Sequence, residues 1–228
     1  MTSITQRAAA KVDARPTILL WSLVLLGLAA RLYLALATPI FYAPDEVAHF
    51  LYIQQIALHG RLPIQPLDYA STYLRGQYEF YQPPGFYLLA APFARIFGPG
   101  VGAVYAVRIV NVLLGTLLVR IVWAIALVTM PGRIDVAATA TSFAAFLPGL
   151  VINSAAVNND VLESVLASAM MLMLVRTVNE GRLSFSRAGT IGVVGGAAIL
   201  TKGSGILLLL VIGFCGIVLA VSGRRQWW

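Results

Sequence analysis

The sequence predicts an all-α polytopic membrane protein, and three observations carry that reading. Of 228 residues, 59% are apolar and 11% charged, against ~45–50% and ~25% in a soluble domain. The mean hydropathy is +0.84. Apolar runs of ~20 residues recur, each long enough to cross a ~30 Å hydrocarbon core as a helix. This composition excludes a soluble globular enzyme, a disordered tail and a nucleic-acid-binding basic domain. Sixteen Lys and Arg against nine Asp and Glu give a net charge of +7. In a membrane protein that excess reports topology, because cytoplasmic loops collect Lys and Arg. The single cysteine, Cys215, allows no disulfide within the chain.

Residues 1–16 form a cytoplasmic N-terminus carrying Arg7, Lys11 and Arg15. Residues 17–38 form the first span. Ala35-Leu36-Ala37 has the look of a signal-peptidase site, but the apolar stretch is long and contains Arg31, which favours an uncleaved anchor. Residues 39–103 form a polar outer loop holding Asp45, Glu46, Asp68, Glu79, His49 and His59. Residues 104–222 form a five-helix bundle with spans at 104–130, 136–152, 161–175, 183–201 and 205–222. Residues 223–228 return to the cytoplasm.

Six spans put both termini on one side, and the charges agree. Arg7, Lys11, Arg15, Arg133, Arg176, Arg182, Arg187, Arg224 and Arg225 all fall there. The stretch 183–201 is the weakest element, since it spans only if Arg187 snorkels to the inner headgroups.

Two interfacial helices are expected in the outer loop. One runs from Pro44 to His59, with Asp45 and Glu46 at the positive end of its dipole and Asp45, His49 and Tyr52 on one face. The other, 85–97, is too short to cross. A seventh span there is the alternative, and would invert everything downstream.

The candidate functional residues lie at one depth, on the outer side. Asp45 and Glu46 are an acidic pair suited to accepting a proton from a hydroxyl nucleophile or, with His49 at i+4, to holding a metal. Helix-start solvation is the plain alternative. Asn158-Asn159-Asp160 stands at the start of a span, where Asp160 caps the helix and Glu163 lies one turn in. Lys202 and Arg108, at the outer ends of two spans, are candidate phosphate partners or snorkelling cations.

In order along the chain, Pro44-Asp45-Glu46-x-x-His49-Phe50, Gln82-Pro83-Pro84-Gly85-Phe86-Tyr87, Arg108, Asn158-Asn159-Asp160 and Thr201-Lys202 resemble the GT-C membrane glycosyltransferases. The likeness is nearest to bacterial membrane proteins opening with Pro-Asp-Glu…His-Phe. It extends remotely to the protein O-mannosyltransferases and the aminoarabinose transferase of lipid A. The resemblance implies transfer of a hexosyl or pentosyl group from a polyprenyl-phosphate donor on the outer face of a bacterial inner membrane.

By that resemblance Asp45 is the base and Glu46 its motif neighbour. His49, Gln82, Asn159, Asp160 and Glu163 are substrate-binding residues, and Lys202 and Arg108 hold the donor phosphate. Gln82 departs from the family pattern, standing where relatives carry His or Lys. No cofactor is implied beyond an optional divalent metal. Relatives have more spans than six, so a truncated form or a partner subunit supplying further helices is expected. The rival classes are a transporter or channel subunit, for which Gly195-Gly196 is the one candidate helix break, and a non-catalytic assembly protein.

Overall fold

The computed structural model describes residues 15–223, and all of the regular structure there is helical. Helix α1 (Arg15–Ala37) leads into a long segment that holds α2 (Glu46–His59), α3 (Tyr69–Leu74) and α4 (Gly85–Phe97). The bundle follows with α5 (Val101–Thr129), α6 (Ile134–Phe146), α7 (Pro148–Ser154), α8 (Asp160–Glu180) and α9 (Phe185–Thr201). A 3-10 turn (Gly203–Leu207) then runs into α10 (Leu208–Gly223). The charged N-terminal residues Arg7 and Lys11, and Arg224 and Arg225, lie outside the described residues.

Four helical stretches are long and apolar enough to cross a membrane: α1, α5, α8 and Gly203–Val221. The α6–α7 pair makes a fifth if it counts as one broken span. The expected sixth, α9, is 17 residues, or ~26 Å of helix, and falls short on length alone. Its packing supplies what its length lacks. It runs antiparallel along α8, with Arg187 paired to Glu180 at one end at 2.7 Å and Lys202 paired to Asp160 at the other. The two helices therefore cover the same depth.

Helices α2 and α4 dock on the bundle. Phe50 and Ile53 of α2, Phe86, Tyr87 and Ala90 of α4, Val104 and Val107 of α5, and Val157 before α8 form one buried cluster. Helix α4, 13 residues or ~20 Å long, is too short to cross. Its alanines face inward, while Leu88, Leu89, Phe93 and Ile96 face outward. The six-residue α3 was not expected from the sequence.

The expected span at 136–152 is broken, and Arg31 explains how the break is tolerated. Helices α6 and α7 meet at 53°. Pro148 has no N–H, so the carbonyl of Ala144 loses its i+4 donor. Arg31, fully buried, donates Nη2 to Ala144 O at 2.8 Å and Nη1 to Ala145 O at 2.9 Å and to Gly27 O at 3.0 Å. A guanidinium thus faces the bundle and serves the carbonyl freed by the proline, together with two others. Gly115 makes room for it, since a Cβ there would sit 2.2 Å from Ser154 Oγ and 2.9 Å from Arg31 Nε.

Arg31→Met is expected to destabilise the protein by about 1–3 kcal/mol, the cost of stranding buried carbonyls. Adding Pro148→Ala restores a donor for Ala144 and should recover part of that loss. Thermal unfolding in detergent of both single variants and the double reads the coupling, and strict additivity would contradict this account.

Candidate active site

Glu46 and Arg108 form a buried clasp, both fully inaccessible. Arg108 Nε and Nη2 reach the two carboxylate oxygens at 2.8 and 2.7 Å. Its remaining hydrogen bonds go to the carbonyls of Ala35, Thr38 and Pro39. Glu46 also accepts from the backbone N–H groups of Phe41 and Val157, at 2.8 and 3.0 Å. A guanidinium has five N–H donors and a carboxylate about four acceptor sites, and all are used. One charge pair therefore ties the end of α1, the start of α2, α5 and the loop before α8.

This corrects two expectations. Glu46 is enclosed and cannot meet a substrate as a catalytic group. Arg108 has no donor left for a lipid phosphate.

Directly beside the clasp the chain turns outward. Asp45 adopts a left-handed backbone conformation, φ 59°, which Asp tolerates better than most residues. This strained residue aims an exposed carboxylate away from its buried neighbour. Phe41, at φ 63°, turns the chain on the other side of the same loop. Asp45 Oδ1 accepts a 2.9 Å hydrogen bond from Tyr78 Oη.

Two groups, His49 and Glu79, link Asp45 to Asp160 and Lys202: the His49 ring senses Asp160, Asp45 and Lys202, and the Glu79 carboxyl senses Asp45, Lys202 and Asp160. His49 is buried, its Nδ1 sharing a 2.8 Å hydrogen bond with Tyr87 Oη. Burial holds its pKa down at about 4 against the favourable carboxylates, so the ring is neutral at physiological pH and forms the floor of the site. Tyr87 stacks on Tyr52 with ring centroids 3.7 Å apart, and Tyr52 Oη donates to the carbonyl of Gln82.

On the far wall Lys202 pairs with Asp160. Burial would lower the lysine's pKa, but the bond to Asp160 and the charges of Asp160, Glu163 and Glu79 outweigh it and hold it up. Asn159 is buried and donates to Thr201 O at 3.1 Å, so it fastens the Lys202 turn rather than facing a substrate. Glu163 accepts from Ser204 Oγ at 2.6 Å, bracing the same turn.

Gln82 stands across from this wall, its Nε2 donating to Glu79 Oε2 at 2.9 Å and to Tyr81 Oη at 3.2 Å. Burial raises the Glu79 pKa, opposed by the Gln82 bond. Gly85 lets α4 start directly on the end of α9, next to the Lys202 turn: a Cβ there would lie 2.6 Å from Leu200 O.

Residues 81–228 match the family model for dolichyl-phosphate-mannose-protein mannosyltransferase. That match covers more than half of the chain. The chain belongs to this family. It is a GT-C type of membrane glycosyltransferase. No curated protein and no solved structure matches the chain. In this family member the match starts at the Gln82-Pro83-Pro84 segment and includes Asp160 and Lys202. Asp45 joins them by folding, not by lying inside the matched stretch.

The fold thus brings Asp45, His49, Gln82, Asp160 and Lys202 together, and assigns Glu46, Arg108 and Asn159 to the framework. Among the described residues no group of three or more His, Cys, Asp or Glu side chains could hold a metal ion.

Three residues absent from the expected set emerge. Tyr78 and Glu79 sit in an aromatic-rich loop stretch without distinguishing pattern. Asn111, buried in α5, donates to the carbonyls of Ala156 and Asn158 at 2.7 and 2.9 Å and shapes the loop before Asp160. A polar residue deep in an apolar span was a signal for it.

Proposed function

We propose that the chain transfers a hexosyl or pentosyl group from a polyprenyl-phosphate donor to a hydroxyl acceptor on the outer face of a bacterial inner membrane. The observation that carries this is an exposed carboxylate, Asp45, and a cation, Lys202, that both act on His49 and on Glu79 at one end of the bundle. Family membership supplies the chemistry class, since its description names a dolichyl-phosphate-linked sugar. Arg133, Arg182 and Arg187 lie at the opposite end of the helices, which the positive-inside rule sets in the cytoplasm.

The reaction follows as an inverting displacement. Asp45 takes the proton from the acceptor hydroxyl. The acceptor oxygen forms a bond to the anomeric carbon as the bond from that carbon to the phosphate oxygen breaks. The polyprenyl phosphate leaves with the electron pair, and Lys202 meets its charge. Asp160 pairs with Lys202, so donor binding exchanges one anion for another at the same ammonium.

Asp45→Asn is expected to lower the rate by about 10²–10⁴-fold, the usual worth of a general base. Asp45 is exposed, so thermal stability should hold. The measurement is turnover of labelled dolichyl-phosphate mannose by the full chain in vesicles. A wild-type rate in a folded variant would overturn the assignment.

A further inference from the structure

Tyr78 holds the Asp45 carboxylate from outside the motif that supplies it. The tyrosine lies between α3 and α4, in the outer-loop segment that also carries Glu79 and Gln82. Its hydroxyl donates to Asp45 Oδ1 at 2.9 Å, and its ring stacks on Tyr73, centroids 5.5 Å apart. Asp45 has a left-handed backbone and an exposed side chain, so neither its helix nor its surroundings fix its rotamer. The Tyr78 bond does.

We infer that Tyr78 is a positioning residue for the transfer reaction: it holds one oxygen of Asp45 and thereby presents Oδ2 to the acceptor hydroxyl. This rests on the reading of Asp45 as the base. A tyrosyl hydroxyl suits the task, because it anchors the carboxylate without neutralising it. A lysine or arginine there would form an ion pair and weaken the base. The groups facing the Asp45–Tyr78 pair are Glu79 and Tyr73 around the tyrosine and His49 and Glu79 around the aspartate. His49 is neutral, and the others add no positive charge. Burial, then the Asp45 bond, push the tyrosine's pKa up to about 12, so it remains a donor across the working pH range.

The arrangement also ties two segments of the outer loop together. The turn before α2 contributes the base and the 75–82 stretch its anchor, while the same stretch carries Gln82 and Glu79, and Glu79 senses Lys202 and Asp160. A base held from that stretch keeps its register with the donor side of the site.

The test has one arm free of turnover and one that reads it. In the first, 3-fluorotyrosine is placed at position 78 of the full chain in detergent, and its fluorine resonance is followed with pH. The ionisation should move to lower pH when Asp45→Asn removes the carboxylate. An unchanged titration would overturn the contact. In the second, Tyr78→Phe keeps the ring and loses the hydroxyl.

With labelled dolichyl-phosphate mannose as the probe, Tyr78→Phe should lower kcat about tenfold with little change in KM. An unchanged kcat alongside an inactive Asp45→Asn would overturn the positioning role and leave the base reading standing. A fully active Asp45→Asn would overturn the base reading, while the fluorine titration would still report the contact.

Discussion

Glu46→Ala is expected to cost about 3–5 kcal/mol of stability, the penalty for leaving a buried charge without its partner. Arg108 would then face three carbonyls and no anion, and the backbone N–H groups of Phe41 and Val157 would lose their acceptor. Arg108→Ala should cost a similar amount, and the double variant much less than the sum of the singles, because each single already breaks the shared clasp. Thermal unfolding in detergent reads all three.

The comparison with Asp45 separates framework from chemistry. Asp45→Asn should be stable and inactive, whereas Glu46→Gln should unfold early, since an amide can neither balance the guanidinium nor accept at all four sites. A Glu46→Ala variant with wild-type thermal stability would remove the clasp account.

Gly85→Ala is expected to lower activity by about 10–100-fold and stability by about 1–3 kcal/mol. The added Cβ would meet Leu200 O at 2.6 Å, Leu200 C at 2.9 Å and Thr201 N at 3.1 Å. All three are backbone atoms, which cannot rotate aside, so α4 and α9 must separate. Overpacking of this kind carries the stability cost. Displacements of even ~1 Å at a reacting centre can cost about a hundredfold, and this one falls between Gln82 and Lys202. Gly149→Ala, where nothing lies within 4 Å of an added Cβ, is the control and should be silent in both measurements. An equally silent Gly85→Ala would show that α4 and α9 part without consequence for the site.

Much of this molecule is legible in its residues, and the illegible part has physical causes. The helices are legible because apolar runs of fixed length are a local property; 85–97 stands in the structure at its expected bounds. The break at Pro148 has a local cause too, but the guanidinium that makes it tolerable comes from more than a hundred residues away. The roles of Glu46 and Arg108 could not be read for the same reason. A buried ion pair and a phosphate-binding arginine use the same residue types, and only the carbonyls of Ala35, Thr38 and Pro39 distinguish them. Asp45 and Lys202 could be placed at one end by counting helices, whereas the ion pair of Lys202 with Asp160 required the antiparallel fit of α8 on α9. Tyr78 had no signal at all, because a tyrosine among tyrosines and phenylalanines reads as an interfacial belt.

The short α9 also bears on how the protein is made. A 17-residue, glycine-rich helix is a poor candidate to leave the translocation machinery by itself, but it matches its predecessor at both ends. The two should therefore enter the lipid phase as a hairpin. Until residue 202 has been synthesised, Asp160 waits without its ammonium partner, and the two helices are pinned at that end only at that late moment of translation.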